Sequence, residues 1–327
     1  DFYCTIFRAV RVSFLLRRLE VIMMYLLLLV GFLLLLKGAD FFVDGSSSIA
    51  GILRVPSIVI GLTIVAMGTS APETAVSITA GLAGNSDISL GNIVGSNIFN
   101  LLMVIGVSAL LRPITTPKDM LKRDLWWNIA VSAGLVILLL DFKLSRLEGI
   151  ILLIGMTAYL FVVIRGALRE RTDAEPIRTL SVPRSILYIV GGLIAIICGG
   201  NLVVDNASLI ARSLGMSDTL VGLTIVAIGT SLPELMTSIV AAQKGDSGIA
   251  LGNAVGSCLF NIMFILGATS SLTPIHAAPE LLIDSILLTA VCILILVLAR
   301  SHKITSRKEG IICILCYLAY SVYIVLR

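Results

Sequence analysis

The chain has 327 residues, of which 57% are apolar and 13% charged, with a mean hydropathy of +1.05 and a formal net charge of +4. Soluble domains are typically about 45–50% apolar and about 25% charged, so this composition excludes an ordinary water-soluble protein. It predicts an all-α integral membrane protein.

Ten stretches are apolar and long enough to be membrane-spanning helices, because a span needs about 20 mostly apolar residues. In chain order they cover residues 24–43, 57–82, 88–111, 125–140, 147–164, 185–204, 217–243, 249–272, 281–299 and 309–326. Lys and Arg collect in the loops 112–124, 165–184 and 300–308, which lie on one side of a ten-span arrangement. The positive-inside rule therefore predicts cytoplasmic basic loops and two external termini in a multi-pass cell-membrane protein, or an inner-membrane protein in a Gram-negative bacterium.

Residues 1–22 depart from this charge pattern. They carry Arg8, Arg11, Arg17 and Arg18 on the side that should be poor in basic residues. We interpret this segment as an N-terminal extension that is not part of the working protein, with native translation beginning at Met23 or Met24. N-terminal sequencing of protein expressed from the native gene would contradict this interpretation if it found residue 1.

An internal duplication relates the two halves of the chain. The string GLTIVAMGTSAPE begins at Gly61, and GLTIVAIGTSLPE begins at Gly222, 161 residues later. At the same offset, GNIVGSNIFN from Gly91 matches GNAVGSCLFN from Gly252. This divides the chain into a first repeat (23–166), a short cytoplasmic linker (167–183) and a second repeat (184–327). Because each repeat holds an odd number of spans, the second is inverted, an architecture of secondary transporters with a site near the membrane midplane.

The two G-T-S-x-P-E strings place unusual chemistry in the middle of a span. Proline has no N–H group, so Pro72 and Pro233 break the helix there, and Glu73 and Glu234 lie next to the break. A charged residue at the bilayer centre costs at least about 2.5–3.5 kcal/mol. Since these spans have no Lys or Arg at the same depth, a bound cation is the predicted partner.

The neighbouring residues supply further oxygen ligands. Hydroxyl groups come from Thr69, Ser70, Thr230 and Ser231, and the next span of each repeat presents a Ser and an Asn four residues apart, namely Ser96 with Asn100 and Ser257 with Asn261. Oxygen ligands indicate Na⁺ or Ca²⁺ rather than zinc or copper. Two alternatives stay open, since the serines could be small packing residues and the asparagines could orient the glutamates.

Both pairs of strings resemble the two alpha-repeats of the cation/calcium antiporter superfamily, in particular prokaryotic sodium/calcium exchangers, from about residue 23 to the end. The resemblance implies a core of spans 2, 3, 7 and 8, across which spans 1 and 6 slide. It implies a calcium site formed by Glu73, Glu234 and the carbonyls of Thr69 and Thr230. It also implies sodium sites formed by the carbonyls of Ala66 and Ala227 with Ser70, Ser231, Ser96, Ser257, Asn100 and Asn261. Asparagine at positions 100 and 261 argues against potassium dependence, because some relatives have Asp there.

These observations predict a secondary active antiporter that exchanges Ca²⁺ for Na⁺ by alternating access. The transported ions and the lipid bilayer are its predicted partners; no cofactor and no nucleic acid are expected, and a monomer is expected because the site lies within one chain. Two alternatives remain open: a Ca²⁺/H⁺ or other divalent-cation antiporter using the same glutamates, and a channel, which would pass ions without a counter-ion. A hydrolase using Ser70 or Ser231 is disfavoured because the two histidines lie in loops or at span ends.

Overall fold

The structure is a computed structural model, and it describes residues 2–169, 180–216, 225 and 227–326. Side chains are described for all of these except residues 2–20, 227 and 302. The first repeat contains α1 (Phe2–Leu53), α2 (Ser57–Ile60), α3 (Ala66–Thr69), α4 (Ala71–Leu82), α5 (Ser86–Phe99), α6 (Ile105–Leu111), β1 (Ile114–Thr115), α7 (Leu125–Leu138), β2 (Lys143–Leu144) and α8 (Arg146–Arg169). Three π-helical turns, Gly61–Val65, Asn100–Val104 and Met120–Asp124, continue directly into α3, α6 and α7.

The described elements of the second repeat follow the same order. It contains α9 (Val182–Ser213), α10 (Ala227–Gly229), α11 (Leu232–Lys244), α12 (Ser247–Phe260), α13 (Gly267–Leu272), β3 (Ile275–His276), α14 (Pro279–His302), β4 (Ile304–Thr305) and α15 (Arg307–Leu326). A π-helical turn, Asn261–Leu266, joins α12 to α13 as the turn from Asn100 joins α5 to α6.

The third span of each repeat, formed by α5 and α6 or by α12 and α13, lies at the centre of the molecule. In the most apolar window of Ser247–Leu272, 94% of residues are buried inside the protein, and in that of Ser86–Leu111 the share is 78%. The corresponding share is only 17% for Val21–Leu53 and 11% for Arg307–Leu326. The outer helices therefore present apolar side chains outward, as expected of a protein whose solvent there is lipid.

The two longest helices, α1 and α9, pack closely along each other through glycines. A Cβ atom added at Gly31 would lie 2.9 Å from the carbonyl oxygen of Gly199, and one added at Gly38 would lie 2.9 Å from that of Gly192. Small residues allow the two backbones to approach, as at many helix interfaces in membranes.

Two short antiparallel strand pairs join the repeats, and the sequence did not predict them. In one pair Ile114 faces Thr305, and in the other Lys143 faces His276. In both pairs, the loop between the third and fourth spans of one repeat is paired with the loop between the fourth and fifth spans of the other repeat. The backbone groups of these loops are thereby hydrogen-bonded to each other.

The all-α membrane fold with two repeats agrees with the prediction. By length and composition, seven described helices could cross a membrane, or eight when the bent pair Ser57–Thr69 and Ala71–Leu82 counts as one span. Of the other two predicted spans, the fourth corresponds to α7 and the π-helical turn before it, and the seventh lies partly outside the described residues. The same holds for the predicted linker 167–183, so the proposed domain boundaries stay a prediction.

Candidate ion-binding site

The second span of each repeat is interrupted at the predicted place. α3 ends at Thr69, α4 begins at Ala71 with Pro72 as its second residue, and the two segments are bent by 50°. In the second repeat α10 ends at Gly229 and α11 begins at Leu232. Because proline cannot donate to the preceding turn, a new helix starts at each break, and its first turn carries the glutamate.

The two glutamates lie at the interface between the repeats and are fully buried, each with 0% relative exposure. Each accepts a hydrogen bond from the serine at the helix break of the other repeat. The Ser70 hydroxyl donates to Oε1 of Glu234 over 2.8 Å, and the Ser231 hydroxyl donates to Oε1 of Glu73 over 3.0 Å. The two breaks are therefore parts of one site.

The serines of the third span make longer contacts with the same carboxylates. The Ser96 hydroxyl lies 3.5 Å from Oε1 of Glu73, and the Ser257 hydroxyl lies 3.4 Å from Oε1 of Glu234. Hydroxyl hydrogen bonds are usually 2.5–3.0 Å long, so these contacts are weak. Ser257 also lies 3.5 Å from the carbonyl oxygen of Ala66.

Several buried polar atoms of the site have no hydrogen-bond partner among the described residues. They are Oε2 of Glu73, Oε2 of Glu234, both amide atoms of Asn100, and Oδ1 of Asn261. A buried polar atom without a partner is costly, and a buried carboxylate oxygen is more so. The unpaired oxygens of this set, together with the hydroxyl oxygens around the two carboxylates, are suited to binding a cation.

Asn100 and Asn261 occupy equivalent places at the start of π-helical turns. Such turns occur frequently at functional sites because they redirect side chains and backbone groups. Asn261 donates from Nδ2 to Oδ1 of Asn97 over 2.9 Å, and its own Oδ1 is buried without a hydrogen-bond partner among the described residues.

The remaining predicted ligands lie in, or directly after, the short helices α3 and α10 that precede the two breaks. Thr69 is buried at the end of α3, Thr230 is partly buried between α10 and α11, and Ala66 begins α3. The carbonyl oxygen of Ala66 accepts the backbone N–H of Ser70 over 3.1 Å. Ala227 begins α10, and its side chain is outside the described residues.

Two asparagines beside the site were not singled out from the sequence. Asn92 and Asn253 each contact the glutamate-bearing helix of their own repeat and the threonine at the helix break of the other. Both belong to the repeated G-N-x-V-G-S string, so their equivalence was visible. Their contacts were not, because these depend on how the two repeats dock.

The side chains gathered at this site have the chemistry that a hard cation prefers. In the described part of the chain no group of three or more His, Cys, Asp or Glu side chains could hold a metal ion. The site instead combines two carboxylates with hydroxyl, amide and carbonyl oxygens, the ligand types that Ca²⁺ and Na⁺ prefer. The nearby thiol of Cys258 contacts the backbone oxygen of Asn97.

Comparison with known proteins gives one consistent family. Residues 23–165 and 184–326 both match the family model described as sodium/calcium exchanger protein. The chain is 39% identical over 258 residues to the inner membrane protein YrbG of Escherichia coli, covering 76% of this chain and 79% of that protein. It is 32% identical over 342 residues to a sodium/calcium exchanger of Methanosarcina acetivorans, covering 91% of this chain and 97% of the relative.

The fold is also similar to solved structures. The structure of the sodium-calcium exchanger NCX_Mj soaked with Na⁺ and Sr²⁺ superimposes with a TM-score of 0.81 at 33% sequence identity. The match covers 91% of this chain and 98% of that structure.

Proposed function

The chain belongs to the sodium/calcium exchanger family, and we propose that it exchanges Ca²⁺ for Na⁺ across the membrane by alternating access. Glu73 and Glu234 are the shared ligands in this proposal. The observation that carries it is the reciprocal hydrogen bonding of Ser70 with Glu234 and of Ser231 with Glu73. It supports a single site to which both repeats contribute a carboxylate.

Competition for one set of ligands explains how transport of the two ions is coupled. Two carboxylates neutralise one Ca²⁺, whose coordination by 6–8 oxygens requires further hydroxyl, amide and carbonyl ligands. Sodium ions binding to the same carboxylates would exclude Ca²⁺. An ion can shift the equilibrium between outward-facing and inward-facing states only through its different affinity for the two.

The proposed ligands are those that the resemblance implies. Calcium would bind to Glu73, Glu234 and the carbonyl oxygens of Thr69 and Thr230. Sodium would share the two carboxylates and would also bind to the carbonyls of Ala66 and Ala227 and to the side chains of Ser70, Ser231, Ser96, Ser257, Asn100 and Asn261. The unpartnered oxygens of both glutamates and of both asparagines support this assignment.

A second candidate is exchange of Ca²⁺, or another divalent cation, for protons at the same glutamates. The observation that favours it is burial: both carboxylates are fully buried and each has one oxygen without a partner in the described structure. Protonation would remove the cost of burying that charge. The two candidates share the site and differ in the ion that leaves it.

The proposal includes the arrangement in the membrane. The chain is a multi-pass membrane protein, and we place its basic loops in the cytoplasm and its termini outside, as the Lys and Arg distribution predicts. A monomer is sufficient, since one chain contributes both carboxylates.

The experiment measures calcium-45 uptake into proteoliposomes. Uptake driven by an outward Na⁺ gradient is compared with uptake driven by an outward H⁺ or K⁺ gradient. We expect uptake driven by the sodium gradient and abolished in Glu73→Gln and in Glu234→Gln. Glu148→Gln is the matched control, because Glu148 pairs with Ser145 at the start of α8. Uptake driven by protons alone would favour the second candidate. Uptake unaffected by either site variant would contradict the site itself.

A further inference from the structure

We propose that Asn92 and Asn253 are positioning residues of the ion site, and that they hold its two halves with unequal stiffness. Each links the glutamate-bearing helix of its own repeat to the helix break of the other repeat. This inference rests on the proposed function, because it concerns the distances between the proposed calcium ligands. We call these two residues the bridging asparagines.

Asn253 is the tighter of the two. Its Nδ2 group donates to the backbone oxygen of Glu234 over 3.1 Å and to the hydroxyl of Ser238 over 3.0 Å. Its Oδ1 accepts from the hydroxyl of Thr69 over 2.9 Å. The side chain is fully buried, and both amide hydrogens and the carbonyl oxygen are used. An amide satisfied in this way has one favourable orientation.

Asn92 makes the equivalent contacts, and the two that reach the glutamate backbone and the threonine of the other repeat are longer. Its Nδ2 group lies 2.9 Å from the Ser77 hydroxyl but 3.5 Å from the backbone oxygen of Glu73. The hydroxyl of Thr230 lies 3.5 Å from its Oδ1. The side chain is also only partly buried. Contacts of 3.5 Å are at the limit of a hydrogen bond and constrain the two groups weakly.

The position of these links explains why they matter for ion binding. In the proposed site, Thr69 and Glu234 come from different repeats and both contact the calcium ion. Asn253 holds the hydroxyl of the first and the backbone of the second, so it fixes the distance between two ligands that no covalent structure connects. Calcium–oxygen distances span only about 2.3–2.6 Å, so a small displacement removes a ligand.

The asymmetry then assigns different behaviour to the two halves. The half formed by Thr69 and Glu234 is held in place, whereas the half formed by Thr230 and Glu73 is free to adjust when one kind of ion replaces the other. Loss of the Asn253 link should therefore weaken calcium binding more than loss of the Asn92 link.

A double-mutant cycle on calcium uptake tests this assignment. Thr69→Val removes the hydroxyl but keeps the side-chain size and the backbone carbonyl, and Asn253→Leu removes the amide at similar volume. We expect each change to raise the half-saturating Ca²⁺ concentration by about tenfold, in line with a buried hydrogen bond left incomplete. The double variant should be little worse than either single variant, because both remove the same link. Thr69→Ser, which keeps the hydroxyl, should rescue.

The repeat supplies the matched comparison. Thr230→Val and Asn92→Leu make the same chemical changes at the equivalent positions, and we expect less than about threefold effects there. A purely structural role of Asn253 would lower the amount of active transporter and the maximal rate, and would leave the half-saturating Ca²⁺ concentration unchanged.

The outcomes separate this inference from the proposed function. If the native chain takes up no calcium under any gradient, the proposed function fails. If the native chain transports calcium but the effects of Thr69→Val and Asn253→Leu add fully, or the Asn92 pair has the larger effect, the inference is overturned. Should Asn253→Leu not fold, the contrast between Thr69→Val and Thr69→Ser decides, since only the first should lower calcium affinity.

Discussion

The ammonium group of Lys244 lies 2.6 Å from Oδ1 of Asp44, which joins the end of α11 to α1. The same group lies 2.6 Å from Oδ1 of Asp40. The equivalent of Lys244 in the first repeat is Ala83, so the opposite end of the molecule has no lysine at this position. If α1 slides past the core during transport, as the resemblance implies, this contact must break at one stage of the cycle.

We expect Lys244→Met to change transport more than stability. The Lys244 side chain is 31% exposed and that of Asp44 is 47% exposed, so the ion pair contributes at most about 1 kcal/mol to folding. Loss of the contact should shift the equilibrium between the outward-facing and inward-facing states. This shift should appear as opposite changes in the half-saturating Ca²⁺ concentration measured from the two sides of oriented vesicles. Lys143→Met, an exposed lysine away from this contact, serves as the control. Half-saturating concentrations that are the same in the native and variant proteins on both sides would contradict the prediction.

The four serines around the glutamates should differ in importance according to their distances. Ser70→Ala and Ser231→Ala remove hydrogen bonds of 2.8 and 3.0 Å, so we expect calcium affinity to fall about tenfold in each. Ser96→Ala and Ser257→Ala remove contacts of 3.5 and 3.4 Å, and we expect less than about threefold changes. Calcium-45 uptake measures all four, with Ser→Thr variants that retain the hydroxyl as controls. A larger effect at Ser96 or Ser257 would show that these serines bind Ca²⁺ directly.

Much of the site could be predicted from the sequence because its main elements are local. A proline beside a glutamate in an apolar span fixes the helix break and places a charge next to it. The repetition of that pattern at Glu73 and Glu234 indicates that both belong to one site. These inferences require no knowledge of how the repeats dock.

The remaining features depend on tertiary contacts that no local pattern encodes. The pairing of Ser70 with Glu234 crosses the repeat interface, as does that of Asn253 with Thr69. Strands of two residues, such as Ile114–Thr115, are too short for an alternating pattern. The first span was predicted to end at residue 43, yet α1 continues to Leu53. Residues 44–48 are Asp, Gly and three Ser, and the apolar window therefore ended before them.

The close packing of α1 with α9 predicts a sharp contrast between two adjacent glycines. A Cβ added at Gly192 would lie 2.7 Å from the carbonyl oxygen of Gly38, whereas one added at Gly191 would meet nothing within 4 Å. We expect Gly192→Ala to destabilise the protein by about 1–3 kcal/mol, because a backbone must shift to admit the methyl group. Gly191→Ala should be neutral or slightly stabilising, since alanine favours helix more than glycine does.

Thermal unfolding of the two variants in the same detergent measures this contrast. A melting temperature lowered by several degrees in Gly192→Ala alone is the expected result. Equal stability of both variants would mean that α1 and α9 are not in backbone contact in the membrane protein.

Asp246 predicts a second contrast between equivalent residues. Its carboxylate accepts the backbone N–H of Ile249 at the start of α12 and the hydroxyls of Ser47 and Ser57, over 3.0, 2.9 and 2.7 Å. It therefore caps one helix and holds two others against it. Its equivalent, Asn85, precedes α5 and makes no side-chain cap hydrogen bond.

We expect Asp246→Ala to lower the free energy of unfolding by about 2 kcal/mol, because it removes a helix cap and leaves two hydroxyls without their acceptor. Asp246→Asn keeps an acceptor oxygen and should recover most of this loss, whereas Asn85→Ala should have little effect. Melting temperatures of the three variants test the order. If Asn85→Ala were as harmful as Asp246→Ala, the carboxylate contacts would not be the cause, and a general intolerance of alanine at both helix starts would explain the result.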